Sequence, residues 1–298
     1  MSLTAQRAAG SLHTELVVMI SSLSSHITRI LKKGFWAVLP LDTRKQLALW
    51  MDQQSWIPGC HNLSMAMILD WAGKNVDAFH RFLWSHHLGY AKFYEEANEF
   101  GADNILRTRA MLFEDLKDCL LLQNIDPGRD VKSILEVGCS AGYLLRFMET
   151  ALFPAATTLE GIDIDEYAIE KGKAYLRARA SKIRLACADM ADLDRVMDER
   201  KYDVILCAGV LMYLHESAAA DVVRSMLNHC SGLVAIANPA HPIVDNAHLK
   251  RSEPRSDGAL IHNIDAMVER VGGTVVYRRW EGSKTFDGQS VYFIFCRP

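Results

Sequence analysis

From residue 133 onward, short apolar runs alternate with helical stretches, and no other feature limits the fold of this chain so strongly. The runs are Ser133–Val137, Thr158–Asp163, Ile183–Ala188, Tyr202–Ala208, Leu233–Asn238, Thr274–Arg278 and Val291–Cys296. Strands separated by helices do not pair as hairpins. They pair in parallel through crossovers, with helices covering both faces. This part of the chain is therefore expected to be α/β, a doubly wound parallel sheet.

The first part reads differently. Leu16, Val17, Met19, Ile20, Leu23, Ile27, Ile30 and Leu31 recur at helical spacing. Asp42 is a candidate N-cap for a helix reaching about Ser55, and Asn62–Trp71 reads as another short helix. Pro58-Gly59 separates the two, Asn75 is placed to cap a further helix, and Asp103–Gln123 is a longer amphipathic stretch. Strand-like alternation is absent. The texture changes at Asp126-Pro127-Gly128-Arg129, which sets the expected division: an all-helical region, 1–124, and a sheet domain, 125–298.

Composition excludes several classes. Half of the residues are hydrophobic and 23% are charged, enough apolar material for a sizeable core. A net charge of -3 gives no basic surplus for nucleic acid. Leu12–Leu39 is apolar but interrupted by His13, Glu15, His26, Arg29, Lys32 and Lys33, which argues against a membrane span or signal peptide and for an amphipathic helix. The seven cysteines include no CxxC pair and read as free thiols of a reducing, cytoplasmic setting, with no metal site.

The first strand ends in Glu136-Val137-Gly138-Cys139-Ser140-Ala141-Gly142, and a helical stretch begins at Tyr143. Such a turn lets a ligand lie against bare backbone at the carboxyl end of a parallel strand. The second strand ends at Asp163, 25 residues beyond Gly138, where an acid can accept both hydroxyls of a ribose. That pattern also serves a dinucleotide, but the turn lacks GxGxxG. Glu136 beside it would repel a pyrophosphate and favour an amine or sulfonium cation. The absence of GKS/T removes the P-loop reading. Asp189, in the turn after the third strand, can accept from an exocyclic amino group, and Met190 can pack on a ring. Ala208-Gly209 ends the fourth strand in a position to lie under a cofactor.

Taken in order, these motifs resemble those of class I S-adenosylmethionine-dependent methyltransferases of the small-molecule type, over more than half of the chain. The resemblance implies a Rossmann-like sheet of seven strands, the last antiparallel beside the sixth. It implies S-adenosylmethionine as cofactor and S-adenosylhomocysteine as product. The residues carried over are Glu136, Gly138, Cys139, Ser140 and Gly142 in the turn, Asp163 and Ile164 at the ribose, Asp189 and Met190 at the adenine, and Ala208 from the fourth strand. Many members have glycine where this chain has Ser140.

Catalytic candidates rest on less. His241 lies in Asn238-Pro239-Ala240-His241, off the carboxyl edge of the fifth strand, and is the best single choice for a general base. His215 follows the fourth strand and also reads as a helix-start residue. Asp165 reads as the N-cap of the helix Glu166–Ala180. A metal triad of His241, Asp245 and His248 ranks low. The aromatic stretch Phe79–Phe100 suits helix packing and a lid, which makes Tyr90 and Tyr94, with Tyr213, candidates for a substrate pocket. Arg107 and Arg109 could meet a carboxylate but read first as a solvated helix face. The expected activity is methyl transfer to a small-molecule acceptor. The rivals are a protein or RNA methyltransferase and a non-catalytic protein that binds the same cofactor.

Overall fold

The computed structural model describes residues 39–54, 64, 76–88, 105–255, 258–286 and 288–298. The chain divides into two compact units, 1–75 and 76–298. In the first, helix α1 spans Leu41–Gln53. Pro40 occupies its N-cap position with no side-chain cap, and Asp42 lies one step inside, in the first turn, so it is not the cap. Ser64 Oγ donates to Ala48 O at 2.9 Å. The helices expected at 16–31 and 62–71 (apart from Ser64), and the cap at Asn75, lie outside the described residues.

The second unit holds α2 (Val76–Ser85), α3 (Arg107–Leu122) and the entire sheet. Two helices of the expected helical region, 1–124, therefore cluster with the strands. Their apolar faces explain this: Leu112 and Leu116 of α3 have no exposed surface, and Phe79 and Leu83 of α2 are 1% exposed.

The strands are β1 (Ser133–Val137), β2 (Thr158–Asp163), β3 (Arg184–Cys187), β4 (Tyr202–Ala208), β5 (Cys230–Asn238), β8 (Thr274–Phe286) and β9 (Gln289–Arg297). Their order in the sheet is β3-β2-β1-β4-β5-β9-β8. The first five are parallel, and β9 runs antiparallel to both β5 and β8. The seven-stranded Rossmann-like architecture is as expected, including the antiparallel last strand. β8 runs well past its expected end at Arg278, because its register is set by the hairpin with β9 rather than by its own alternation. Helices α4 (Tyr143–Phe147), α5 (Glu166–Arg177), α6 (Leu193–Met197), α7 (Glu216–Asn228) and α8 (Ile264–Arg270) make the crossovers.

Alternation along the central strands divides the core in two. Ile134, Val204, Leu206, Leu233 and Ala235 pack with α3, Leu145 and Ile169. Leu135, Val137, Ile205, Cys207, Val234 and Ile236 pack with Val223, Met226, Met267 and Val268. Burial of this kind stabilises by about 25 cal/mol per Å2 of apolar surface removed from water.

An insertion after β5 carries a two-stranded ribbon, β6 (Glu253–Pro254) and β7 (Leu260–Ile261). It is fastened by Asn246, which has no exposed surface. Asn246 Oδ1 accepts from His241 N at 2.7 Å and Trp280 Nε1 at 3.0 Å. Its Nδ2 donates to Pro239 O at 3.1 Å and His262 O at 2.9 Å. His262, also buried, donates from Nε2 to Leu211 O at 3.0 Å and so ties the insertion to the loop after β4. The insertion is thereby held beside the carboxyl ends of β4 and β5.

Candidate active site

The carboxyl ends of β1 to β3 are joined by backbone bonds that continue just past the strands, and Gly209 N after β4 donates to Ala237 O of β5 at 2.8 Å. Gly138 N and Cys139 N both donate to Ile162 O, at 2.8 and 3.0 Å, and Ala188 N donates to Asp163 O at 2.8 Å. The chain can turn at Gly138 only without a side chain: φ is +75°, and a Cβ there would lie 2.3 Å from Val210 Cγ2. Ser140 also adopts a left-handed backbone, φ +49°. Its amide donates to Asp163 Oδ2 at 2.7 Å, while Asp163 Oδ1 accepts from Asp165 N at 2.9 Å. Asp163 is thus oriented by two amides, and burial pushes its pKa up to about 6.

These ends surround a cavity with about 800 Å3 of space not filled by atoms, part of it open to solvent. Gly138, Ser140, Asp163, Ile164, Asp189, Met190, Ala208 and Tyr213 all line it. Residues chosen from four separate segments are thereby brought to one place.

Three others from the turn are not at its surface. Cys139 is buried in the core, and burial holds its thiol well above the ordinary pKa. Gly142 is the left-handed residue before α4, with the Leu185 side chain against it. Both serve the packing of the turn rather than face the cavity. Glu136 is 2% exposed, and its Oε2 has no hydrogen-bond partner. Burial raises its pKa well above the carboxylate range; Asp163 adds to this and Arg109 opposes it. An orphaned buried carboxyl oxygen beside the turn suits a ligand that brings a donor or a cation.

Other cavity residues come from the helices, and of these Asp77 and Arg81 have no signal in the sequence. Asp77, His80, Arg81 and Trp84 come from α2, and Arg109 from α3. Arg109 lies against Gly209, where a Cβ would be 3.1 Å from its Nη2. Its place at the start of an amphipathic helix resembles that of any solvated arginine; only the packing of α3 on the sheet turns it inward. Tyr90 and Tyr94 lie outside the described residues.

A family model described as a methyltransferase domain matches residues 134–231, from β1 to the first residues of β5. The stretch 134–231 reads as a methyltransferase domain. Solved structures agree on the fold. An S-adenosylmethionine-dependent methyltransferase from Clostridium acetobutylicum aligns with a TM-score of 0.51 at 12% identity, covering 70% of this chain and 98% of that one. Another, from Mesorhizobium loti, gives 0.50 at 14%, covering 66% and 100%. The cyclase SpnF gives 0.50 at 12%, covering 63% and 79%. At these identities the likeness is one of fold, and one fold can carry different chemistries. No curated protein sequence matches the chain. The methyl donor that the sequence resemblance implies is S-adenosylmethionine. Its features fit the site: glycine-lined backbone, acids ending β2 and β3, and an orphaned carboxyl at the end of β1.

A second cavity adjoins the first and shares Arg109, Gly209 and Tyr213 with it. Asn238, Pro239 and His241 line it, with β7 and the β8–β9 turn opposite. Asn238 is 6% exposed, and neither atom of its amide has a hydrogen-bond partner. His241 is placed otherwise than a general base requires. Its Nδ1 accepts from Ile243 N and Val244 N at 3.2 and 2.9 Å. The proton of the neutral ring is then on Nε2, 3.4 Å from Glu253 Oε2. Both nitrogens are occupied, so no lone pair is free to take a proton. His215 is exposed at the N-cap position of α7, with its backbone amide bonded to Asp77 Oδ1. Asp165 caps α5 as expected, accepting from Ala168 N at 3.1 Å. Asp245 accepts from Ala247 N and pairs with Arg278. Among the described residues, no group of three His, Cys, Asp or Glu side chains is placed to hold a metal ion. None of the described helices is long and apolar enough to cross a membrane.

Proposed function

We propose that this domain methylates a small-molecule acceptor bound in the second cavity. The observation that carries the reading is the junction of the two cavities at Arg109, Gly209 and Tyr213. It would place an acceptor next to the donor, inside a concave site rather than on an open face. S-adenosylmethionine supplies a methyl group on a sulfonium centre, which an acceptor lone pair takes by in-line displacement to leave S-adenosylhomocysteine.

The residues of the chain bind and orient. Asp163 accepts from the ribose hydroxyls, Asp189 accepts from the adenine amino group, and Ile164 and Met190 pack on the base. Gly138, Ser140 and Ala208 keep the backbone close. Arg109 complements the carboxylate of the methionine end, guanidinium to carboxylate. Alignment and exclusion of water then supply much of the acceleration, and an acceptor without a proton to lose needs no general base.

The test is transfer of labelled methyl groups from S-adenosylmethionine into fractionated metabolites, total RNA and total protein. Label in a small-molecule fraction supports the reading. Label confined to RNA or protein overturns it, and no label in any fraction places this fold with those that bind without transferring.

A further inference from the structure

Helix α2 crosses the mouth of the cofactor cavity and is fastened on both sides of it. At one side the Asp77 carboxylate accepts from His215 N, after β4, and His80 Nε2 donates to Gly258 O at 3.1 Å. At the other, Arg81 Nε is 3.1 Å from Asp189 Oδ2, after β3. Beyond the helix, His87 Nδ1 donates to Asp165 Oδ2 at 2.6 Å, after β2. Asp77, His80, Arg81 and Trp84 all line the cavity beneath. The helix therefore acts as a roof tied to the loops that carry the nucleoside acids.

One of these ties reaches the site itself. Asp189 Oδ1 accepts from Ala191 N at 2.9 Å, and Oδ2 faces Arg81. Two directions of the carboxylate are thereby taken, and an ionised carboxylate has about four. The remaining acceptor capacity is held in a fixed orientation. Arg81 is half exposed, whereas the Asp189 side chain is 19% exposed, so the guanidinium closes the slot from outside without filling it.

We propose that Arg81 is a positioning residue for cofactor recognition: it bars the base end of the slot and holds Asp189 so that the site selects adenine over a base with a carbonyl in place of the amino group. The proposal rests on the reading that Asp189 accepts from the adenine amino group. A carboxylate fixed as an acceptor favours an amino donor and repels a carbonyl oxygen; one free to rotate discriminates less. Because α2 carries Arg81, closure of the roof and binding of the nucleoside strengthen each other.

Calorimetry and stopped-flow binding on the full chain test this, with S-adenosylhomocysteine and S-inosylhomocysteine as probes. Arg81→Ala is expected to weaken S-adenosylhomocysteine roughly tenfold or more, mainly through faster dissociation, and to bring the affinity ratio of the two probes toward one. Arg81→Lys, which keeps the charge without the planar fork, should recover part of the affinity and less of the ratio. An Arg81→Ala protein with an unchanged ratio overturns the proposal, and one that binds S-adenosylhomocysteine more tightly makes Arg81 a competitor for Asp189. Asp189→Ala separates the two levels. If it abolishes the ratio and Arg81→Ala does not, only the role of Arg81 falls; if it changes neither affinity nor ratio, the adenine reading falls with it.

Discussion

Single residues in this protein trade local strain against ligand geometry. Ser140 holds a left-handed backbone, φ +49°, which costs a non-glycine residue about 1–2 kcal/mol. Its amide is thereby aimed at Asp163 Oδ2. Ser140→Gly should relieve the strain at some entropic cost in the unfolded chain, for a net gain of up to about 1 kcal/mol, measured by urea denaturation. Cofactor affinity should change little, since the amide remains. Asp163 makes a prediction in pH. Burial raises its pKa from 3.8 to about 6, so the folded apo-protein holds the proton more tightly than the unfolded chain. The stability it contributes is present below pH 4 and is lost as the pH rises to about 6. Ribose hydroxyls need an ionised acceptor, so affinity for S-adenosylhomocysteine should move the opposite way, rising between pH 5 and 7. Asp163→Asn should abolish that rise in a calorimetric titration and leave binding weak throughout. Asp163 and Asp189 are readable from the sequence, because each follows its strand at a spacing the sheet preserves. The role of Glu136 is only half readable: its charge type is in the sequence, but the orphaned oxygen and the nearby Arg109 are products of burial.

Among the elements, the helices and the insertion decide what the strands alone leave open. α3 packs Leu112 and Leu116 on the sheet, and this contact directs Arg109 toward the cavities. Leu116→Ala should cost about 2–5 kcal/mol, seen as a lower denaturant midpoint, and should weaken cofactor binding as Arg109 loses its support. The insertion depends on Asn246, whose amide makes four hydrogen bonds in full burial. Asn246→Leu leaves buried donors and acceptors unpaired and should cost at least about 2 kcal/mol, and proteolysis should shift to residues 239–263. Periodicity locates α1, α3, α5 and the central strands within a few residues. It does not say that α2 and α3 belong with the sheet, nor that β8 continues as a long edge strand. His241 shows the same limit. Its place after β5 is where a base would lie, yet two backbone amides, from Ile243 and Val244, take its Nδ1. That hydrogen bonding follows from how the loop folds and has no signature in residue types.

At the scale of the whole molecule, the cofactor should act as part of the fold of the second unit. Loops after β1, β2, β3 and β4, together with α2 and α3, meet around one cavity. A ligand filling it stabilises only the folded state. At a hundredfold excess over its dissociation constant the gain is about 2.7 kcal/mol. For a unit of this size that corresponds to roughly 5–10 °C in melting temperature. S-adenosylhomocysteine should therefore raise the calorimetric transition of the unit 76–298 by that amount, and Asp163→Ala should remove most of the shift. A full shift in the variant would take Asp163 out of the nucleoside site.

By itself the sequence determined the class of fold and a turn and acids suited to a nucleoside with a cationic tail, and its resemblance implied seven strands with an antiparallel last strand. These depend on short-range patterns: apolar alternation, a glycine turn, and acids at the ends of successive strands, which a parallel sheet carries to one edge whatever the rest of the chain does. Only the tertiary structure decided that α2 roofs the cavity through Arg81 and Asp189, that Arg109 turns inward, that His241 is committed to its own loop, and that a second cavity opens beside Gly209. Each of these depends on side chains far apart in sequence meeting through packing, and the partner that a charged or polar group finds in a low-dielectric interior is set by geometry that local sequence does not encode.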